Sequence, residues 1–345
     1  MRILEGFLDL PPASGSCVAT IGNFDGMHLG HQRIFARVRE RAGAEGLPSA
    51  VVTFDPHPLK VLRPEAAPRM ILTRQQKIEI LREQGFDTLV SIPFGPEVAD
   101  VEPERFVSEF LAARLGIREL YIGVDFRFGR RRRGDLELLR KQGALHGITV
   151  ASVETVLHDG ARIGASRIRN AIARGDVAEA WKMMGLPYEA EGLVVHGAGR
   201  GRGQGAPTAN LQVANELIPA SGVYITWTRL GGGAPGDAGS APTATPPGGT
   251  GTAESSPLGV GRPGLTNLGT RPTFDGVDFA VENWLPDFSG DLYGRRLRVR
   301  FLERVRDERK FPDADALKEQ IGRDLQAMRT WFGKHGTSDP PYEAP

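Results

Sequence analysis

The periodicity of the sequence changes near residue 185, and this change constrains the fold more than any other feature. Before it, short apolar runs alternate with amphipathic stretches, whereas after it strand-like runs follow one another with only Gly- and Pro-rich turns between them. Strand–helix alternation is typical of α/β domains, and successive short strands are typical of antiparallel sheets and barrels. The sequence therefore predicts two domains, at 1–185 and 186–335.

The first domain is predicted to hold a parallel sheet covered by helices. Its five apolar runs indicate strands buried on both faces, as in parallel sheets. The strands are expected at 16–22, 49–54, 87–94, 119–124 and 148–154, and the helices near 30–43, 73–84, 103–115 and 134–145. Ligands of such sheets bind beyond the carboxyl ends of the strands. The unusual segments GNFDGMHLGH (22–31), DPHP (55–58) and DFRFGRRRRGD (125–135) follow three of these strands.

The second domain is predicted to be a small antiparallel β-barrel followed by a helix. Strands are expected at 191–197, 207–213, 222–230, 278–285 and 295–305, and a helix at 313–333 with the apolar stripe Leu317, Ile321, Leu325, Met328 and Phe332. The segment 231–257 has no aliphatic side chain larger than Ala and no aromatic one, which predicts a disordered insert between two strands. Residues 336–345 are expected to form a flexible tail.

The composition excludes several classes of function. Forty-three basic and forty-two acidic residues give a net charge of +1, so nothing favours nucleic acid or a membrane surface as a partner. The single cysteine, Cys17, excludes an intramolecular disulfide and any multi-cysteine metal site. The chain has no run of about 18 apolar residues, and its first residues lack the long apolar run of a signal peptide. We therefore expect a soluble cytoplasmic protein, whose oligomeric state the sequence does not indicate.

The segment GNFDGMHLGH allows three interpretations of His28 and His31. They could bind a metal ion, bind a phosphate, or fill a turn. A metal ion needs at least three ligands, and only His57 is available as a third. His31 falls near the first turn of the predicted helix, where unpaired backbone N–H groups and the helix dipole favour an anion. This position favours a polyphosphate, while the metal and the structural turn stay open.

The segment also resembles the H-x-G-H signature of the nucleotidyltransferase superfamily, which has a Rossmann-like sheet. Further motifs occur in the order found in bacterial bifunctional riboflavin kinase/FAD synthetases. They are TFDPHP (53–58), YIGVDFRFGRRRRGD (121–135), IGASRIRNAIARGDV (163–177), GRGQGAPTANL (201–211), NLGTRPTFDG (267–276), VENWLPDFSGDLYG (281–294) and RVRDERKF (304–311). The resemblance covers nearly the whole chain except the insert. In IGASRIR, Ser166 is also a good N-cap for a helix.

The resemblance implies two reactions: riboflavin and ATP give FMN, and FMN and ATP then give FAD and pyrophosphate. For the second reaction it assigns His28, His31 and Arg169 to catalysis. Gly22, Asn23, Phe24, Gly30, Ser166 and Arg167 are the expected ATP-binding residues there, and His57, Asp125, Phe126 and Phe128 the expected flavin-binding ones. The nucleophile is an anionic phosphate, so alignment and charge stabilisation suffice without a base. The run Arg130–Arg133 fits a phosphate-contacting loop or a solvated basic loop equally well.

For the first reaction the resemblance assigns Glu282 as the base that activates a ribityl hydroxyl. On an alternating strand Glu282 shares a face with Ala280 and Trp284, opposite Val281 and Leu285, which is consistent with a cleft-facing carboxylate. The resemblance also implies Mg²⁺ held by Thr208 and Asn210. Gly205, Pro207, Thr208 and Asn210 are the expected ATP-binding residues, and Asp291 and Tyr293 the expected flavin-binding ones. In isolation, Glu282 would be read as a solvated strand residue and the glycine-rich loop as an exposed turn.

Three departures from the family pattern leave alternatives open. The loop before PTAN has Gln204, Gly205 and Ala206 where Leu, Gly and an aromatic residue are usual. Trp284 stands where His is frequent, and 164–166 read Gly-Ala-Ser where Ser-Ser-Thr is common. One alternative is therefore a monofunctional FMN adenylyltransferase with a weak kinase domain. Another is a catalytically silent flavin-binding protein, although the presence of Glu282, His28 and His31 argues against it.

Overall fold

A computed structural model of the chain describes residues 1–196, 208–230, 261–273 and 276–336. Contacts divide these residues into two compact units, of which the first ends at Arg167 and the second begins at Ile168. The predicted insert, the glycine-rich segment 199–205, Pro207 and the predicted tail beyond Gly336 lie outside the described residues. Within the described ranges, no helix is both long enough and apolar enough to cross a membrane.

The first unit is built on a six-stranded parallel sheet, and the five predicted strands are confirmed. The strands are β1 (Arg2–Glu5), β2 (Cys17–Ile21), β3 (Ser49–Asp55), β4 (Thr88–Pro93), β5 (Ile117–Gly123) and β6 (Thr149–Val153). Their order is β1–β4–β3–β2–β5–β6, so β2 and β5 lie side by side near the centre. The sequence does not predict β1, because this short edge strand exposes most of its side chains and so contains no apolar run.

Helices cover the sheet where the sequence predicts them. They are α1 (Leu29–Glu45), α2 (Pro58–Leu62), α3 (Arg74–Glu83), α4 (Pro96–Ala99), α5 (Pro103–Arg105), which continues into a π-helical segment (Phe106–Arg114), and α6 (Leu136–Leu145). The helix α3 begins with a capping box formed by Thr73 and Gln76. Phe110, Leu120 and Val52 are fully buried between the sheet and the helices. These side chains form the core of the first unit.

A two-stranded ribbon, β7 (Leu157–His158) and β8 (Ala161–Arg162), leads from the sheet to helix α7 (Ala165–Ala173). The expectation that Ser166 caps this helix is wrong, because the helix begins one residue before Ser166. Gly164 occupies the capping position instead, which glycine tolerates well, and its carbonyl oxygen accepts a hydrogen bond from the N–H of Arg167 at 3.0 Å. Ser166 thus lies in the first turn of the helix, where its side chain is exposed.

The second unit contains the predicted barrel, which is closed and antiparallel. Its strands are β9 (Tyr188–Val195), β10 (Thr208–Val213), β11 (Gly222–Leu230), β12 (Arg262–Thr273), β13 (Gly276–Trp284) and β14 (Arg296–Arg306). They close in the order β10–β13–β12–β11–β14–β9. Helix α8 (Val177–Met184) packs against β9 and β14, and helix α9 (Ala314–His335) packs against β12. The strands β11 and β12 are hydrogen-bonded neighbours, with Thr228 opposite Arg262 at one end.

Two features of the second unit depart from what the sequence predicts. The strand β12 is not predicted, because Pro263, Gly264 and Gly269 are poor strand formers. The strand forms nevertheless because it is paired on both sides, with β11 and with β13. The burial of Thr266 and Leu268 between these neighbours then outweighs the local preference.

The predicted apolar stripe of α9 is only partly correct. Met328 and Phe332 are buried as expected, but the remaining fully buried positions are Gln320 and Asp324, while Leu317, Ile321 and Leu325 are half-buried. The cause is an ion pair with β14, since the Arg306 guanidinium donates to both Asp324 carboxylate oxygens at 2.8–3.0 Å. Gln320 donates to the same carboxylate at 2.7 Å. Because of this ion pair, the side of α9 that is buried includes Gln320 and Asp324 and is not its most apolar side.

Candidate active sites

The loop between β2 and α1 is fixed by bonds to the neighbouring segment of the first unit. The Asp25 carboxylate accepts the backbone N–H groups of Ile71 and Leu72 at 3.1–3.2 Å. Lys77 donates through Nζ to the carbonyl oxygen of Asn23 at 2.8 Å, and burial lowers the pKa of this lysine. The loop is therefore a rigid support and not a flexible turn.

The two histidines of this loop lie against each other at the start of α1. His28 is the N-cap residue and His31 lies in the first turn, and their rings stack with centroids 3.6 Å apart and an interplanar angle of 21°. The pKa of His31 is lowered well below its usual range, first by burial and then by the nearby charges of His28, Lys77 and Arg162. His31 is therefore neutral near pH 7, and its ring offers one N–H donor.

The metal interpretation of this pair finds no support among the described residues. In that part of the chain, no third His, Cys, Asp or Glu joins His28 and His31 in a cluster tight enough to hold an ion. Nδ1 of His31 is buried without a hydrogen-bond partner there. Imidazole N–H donors beside the backbone N–H groups of a helix start suit an anionic ligand. The geometry thus favours the phosphate interpretation.

The other residues of this loop that are expected to contact ATP differ in their surroundings. Gly22 follows β2 directly, and Asn23 lies beside His57, with its side-chain amide 3.1 Å from Nε2 of that histidine. The ring of Phe24 is buried beneath His31, edge to face with its centroid 5.2 Å away, so it supports the histidine from the core side. A Cβ atom at Gly30 would lie 3.1 Å from Nδ1 of His28. A larger residue at position 30 would therefore displace His28.

An arginine that the sequence does not single out joins this end of the sheet. Arg162, on β8, forms a bidentate ion pair with Asp125, with distances of 2.5 and 2.6 Å, and lowers the pKa of that carboxyl group. Arg167 donates to the carbonyl oxygens of His158 and Ala161 at 2.9 and 3.0 Å. Arg167, expected to bind ATP, thus orders the ribbon that presents Arg162. Asp125, expected to bind flavin, holds Arg162 in place.

The remaining flavin candidates of the first unit differ in exposure. His57 is half-exposed and caps α2, where its Nδ1 accepts the N–H of Leu59 at 3.2 Å. Phe126 is half-buried and stacks on Phe128 at 5.6 Å between centroids. Phe128 is a core residue, only 4% exposed and packed against Phe106. Its ring therefore supports Phe126 rather than facing a ligand directly. Ser166 and Arg169 lie in the first two turns of α7, and their roles stay predictions.

In the barrel, the register places Glu282 between two asparagines. Glu282 lies directly opposite Asn210 on β10 and opposite Asn267 on β12. Thr208 lies two residues before Asn210 and pairs with Trp284. The predicted alternation of β13 is confirmed, because Val281, Asn283 and Leu285 are buried while Ala280, Glu282 and Trp284 are half-exposed. One outward face of three neighbouring strands therefore carries a carboxylate flanked by two amides.

The opposite face of β13 explains why this orientation is fixed. Asn283 is buried inside the barrel and donates to Thr228 and Thr266 at 3.0 and 2.9 Å, and Thr226 lies 3.0 Å from Thr266. Shifting β13 by one residue would expose this network and turn Glu282 inward. The buried hydrogen bonds thus determine which way the carboxylate points.

The two flavin candidates of the second unit lie in the turn before β14. The Asp291 carboxylate accepts the N–H of Tyr293 at 2.9 Å, which makes a short Asx turn. The Tyr293 ring stacks on His196, with centroids 4.0 Å apart, and is 38% exposed. Asp291 therefore shapes the turn, while Tyr293 keeps an open ring edge. Gly205 and Pro207 lie outside the described residues.

Three residues at these sites escape the sequence analysis: Lys77, Arg162 and Asn267. The sequence analysis gives none of these three residues a role, and only the tertiary structure or the strand register brings each to the site. A weak signal exists for Asn267, because it opens the motif NLGTRPTFDG. Arg162 immediately precedes the motif IGASRIR, which is the one sequence signal for it.

Comparisons with known proteins identify both units. A family model described as FAD synthetase matches residues 10–167, and one described as riboflavin kinase matches residues 184–332. A protein of Pseudomonas fluorescens named bifunctional riboflavin kinase/FMN adenylyltransferase is 38% identical over 331 residues, covering 95% of this chain and 97% of that protein. The protein of the same name from Escherichia coli (strain K12) is 35% identical, covering 96% and 98%.

A solved structure from Streptococcus pneumoniae is also similar. Its TM-score is 0.81 at 27% identity, and the match covers 96% of this chain and all of that one. That structure is titled a macrolide-efflux protein, which differs from the name shared by the two relatives above. Those relatives are more similar in sequence, and their name agrees with both family models.

Proposed function

The chain belongs to the bifunctional riboflavin kinase/FMN adenylyltransferase family, and we propose that each of its two units carries one of the two reactions at the residues described above. The enzyme phosphorylates riboflavin with ATP to give FMN, and it adenylylates FMN with a second ATP to give FAD. The presence of both family domains favours this over the monofunctional alternative. The observation that carries the residue assignment is the Glu282 register, with its two flanking asparagines.

Adenylyl transfer is assigned to the carboxyl end of the parallel sheet. A phosphate oxygen of FMN attacks the α-phosphorus of ATP, and the bond to the β-phosphate breaks as pyrophosphate leaves. His28 and His31 donate N–H groups to the ATP phosphates at the start of α1, where the backbone N–H groups add further donors. The nucleophile is already anionic, so N–H donors that align the two substrates are sufficient without a base.

Phosphoryl transfer is assigned to the outward face of β10, β12 and β13. The terminal ribityl hydroxyl of riboflavin attacks the γ-phosphorus of ATP, and ADP leaves. Glu282 accepts the hydroxyl proton, since a neutral alcohol is a poor nucleophile until it begins to lose that proton. Asn210 and Asn267, opposite Glu282 on the two neighbouring strands, orient the carboxylate and the substrate.

The residues around Glu282 also fit a magnesium ion. The side chains of Thr208 and Asn210 offer hydroxyl and amide oxygens on the face of β10 next to Glu282, and oxygen ligands are what Mg²⁺ prefers. When bound, Mg²⁺ would offset negative charge on the ATP phosphates. Thr208 and Asn210 would hold it, and the Glu282 carboxylate would stay directed at the hydroxyl.

One assay tests the proposal against both alternatives. Purified protein is incubated with riboflavin, ATP and Mg²⁺, and the flavins are separated by chromatography. Appearance of FMN followed by FAD supports the proposal. FAD formed only when FMN is supplied would support the monofunctional enzyme, and no turnover of either flavin would support the silent flavin-binding protein. Repeating the assay with excess EDTA tests the magnesium requirement.

A further inference from the structure

The loop between β5 and α6 holds two consecutive arginines in an unusual backbone conformation. The φ angles of Arg131 and Arg132 are +52° and +59°, in the left-handed region that non-glycine residues rarely adopt. The loop is closed at its base by two backbone hydrogen bonds between Phe128 and Gly134, at 3.1 and 2.9 Å. The conformation is therefore imposed by a closed frame, and such imposed strain is often found at functional sites.

The four arginines of the run divide into two kinds. The outer two are tied to acidic residues, since Arg130 and Arg133 lie 3.2 and 3.4 Å from the Glu102 carboxylate. The inner two, Arg131 and Arg132, are exposed, and in the part of the chain that the structure describes neither guanidinium has an ion-pair or hydrogen-bond partner. The outer pair forms exposed ion pairs, which contribute little to the conformation of the loop, and the inner pair is left to contact a ligand.

Arg132 lies in the loop that follows β5, at the same end of the sheet as the loop that carries His28 and His31. Its charge contributes to lowering the pKa of Asp125, and Asp125 is ion-paired with Arg162, whose charge in turn acts on His31. Arg132, Asp125, Arg162 and His31 therefore form a connected electrostatic series. The loop follows β5, which is paired with β2, so both segments leave the sheet at its carboxyl end.

The charge balance of this series indicates what Arg132 does. Asp125 and Arg162 neutralise each other in a bidentate pair, and His31 is neutral near pH 7. Arg132 is thus the member whose positive charge no protein group in this series cancels. The flavin substrate of adenylyl transfer differs from riboflavin by one phosphate, which must approach a second polyanion, ATP. A guanidinium is suited to bind it by paired hydrogen bonds.

We propose that Arg132 binds the phosphate of FMN and thereby makes the adenylyltransferase site select FMN over unphosphorylated flavin. This inference rests on the proposed assignment of adenylyl transfer to the first unit. It resolves the two interpretations of the basic run: Arg130 and Arg133 form the solvated, ion-paired part, and Arg132 is the phosphate contact.

The test uses the full-length enzyme and three variants, Arg132→Gln, Arg132→Gly and the matched control Arg133→Gln. Arg132→Gly keeps the left-handed backbone without a side chain, and so separates loss of the guanidinium from distortion of the loop. We expect KM for FMN in FAD synthesis to rise about tenfold or more in both Arg132 variants, because one charge-assisted contact is lost. The KM for ATP, and FMN formation from riboflavin, should change less than twofold.

A second measurement isolates the phosphate from the flavin ring. Lumiflavin has the ring but no ribityl phosphate, and its inhibition constant against FMN should be the same in wild type and in both Arg132 variants. An unchanged KM for FMN in both variants would overturn the proposal, as would an equal rise in Arg133→Gln or a parallel loss of lumiflavin binding. If the wild-type enzyme formed no FAD from supplied FMN, the assignment of adenylyl transfer would itself fail. The assay of the wild-type enzyme alone shows this, before any variant is compared.

Discussion

In the first unit the side chains that we propose for catalysis stand on loops and helix starts beyond the ends of β2, β3 and β5, whereas in the second they stand on the strands themselves. The loop site needs many individual bonds to hold it, such as those of Asp25, Lys77 and Arg167. The strand site needs few such bonds, because the backbone hydrogen bonds between the barrel strands already set the spacing of Asn210, Glu282 and Asn267. Substitutions should therefore act differently in the two units.

The largest expected effect is the loss of the proposed base in the barrel. Glu282→Gln keeps the shape and the strand register but cannot accept a proton, so we expect FMN formation to fall about 10³-fold. FAD formation from supplied FMN should be unchanged. Steady-state assays of both reactions check this, with Glu303→Gln, an exposed position on β14, as the control. A loss below tenfold would remove Glu282 as the base.

The corresponding change in the first unit should have the reverse selectivity. His28→Ala removes one donor to the ATP phosphates and the stacking partner of His31, so FAD formation should fall about 10²-fold. FMN formation from riboflavin should be retained. His146→Ala, an exposed histidine at the end of α6, is the control. If both reactions fell together in His28→Ala, the separation of the two sites would be refuted.

A third substitution tests how much the ion pair between α9 and β14 contributes to the stability of the second unit. Asp324→Asn leaves the Arg306 guanidinium facing a neutral group in a largely buried place, and we expect the free energy of unfolding to fall by about 2 kcal/mol. Urea unfolding followed by tryptophan fluorescence measures it. Glu319→Gln, the exposed partner of Arg323, should change stability by less than about 0.5 kcal/mol. If the two substitutions lowered the free energy of unfolding equally, the buried ion pair would contribute no more to stability than the exposed one.

The smallest expected effect concerns protonation of the loop site. Because the pKa of His31 is lowered in the folded protein, the unfolded chain binds more protons, so this group's contribution to stability is complete above about pH 6.5 and is lost as the pH falls below that value. NMR of the His31 ring should show no titration between pH 6 and 8 in the folded enzyme, whereas the urea-unfolded chain titrates. In Arg162→Gln the pKa should rise but stay lowered, since burial is the first cause. A His31 ring that titrates near pH 6.5 in the folded enzyme would contradict the prediction.

Most of the fold follows from periodicity, and the failures have physical causes. Strands such as β3 and β5 are predicted because they are largely buried on both faces and therefore contain a run of apolar side chains. The strand β12 is missed because its pairing with two neighbours outweighs its glycines and prolines. The burial of Asp324 is not predicted, because a helical pattern does not show that Asp324 forms an ion pair with Arg306 on β14.

The sites divide in the same way. The sequence predicts roles for Glu282, His28 and His31 because each lies in a short motif that resembles the family's motifs, and these roles stay proposals. It does not identify Arg162 or Lys77, whose charges reach the site only through the tertiary structure. It also cannot divide the arginine run, since the contrast between Arg132 and Arg133 depends on where Glu102 lies.

The end of the ladder between β11 and β12 has a consequence for how the chain can be rearranged. Thr228 and Arg262 face each other on one rung, so the barrel brings both chain ends of the intervening segment together whatever that segment contains. The entropy of closing such a connection grows only with the logarithm of its length. This position is therefore suited to the insertion of a fluorescent protein or to circular permutation. In either case every strand should keep its neighbours, and Glu282 should stay between its two asparagines.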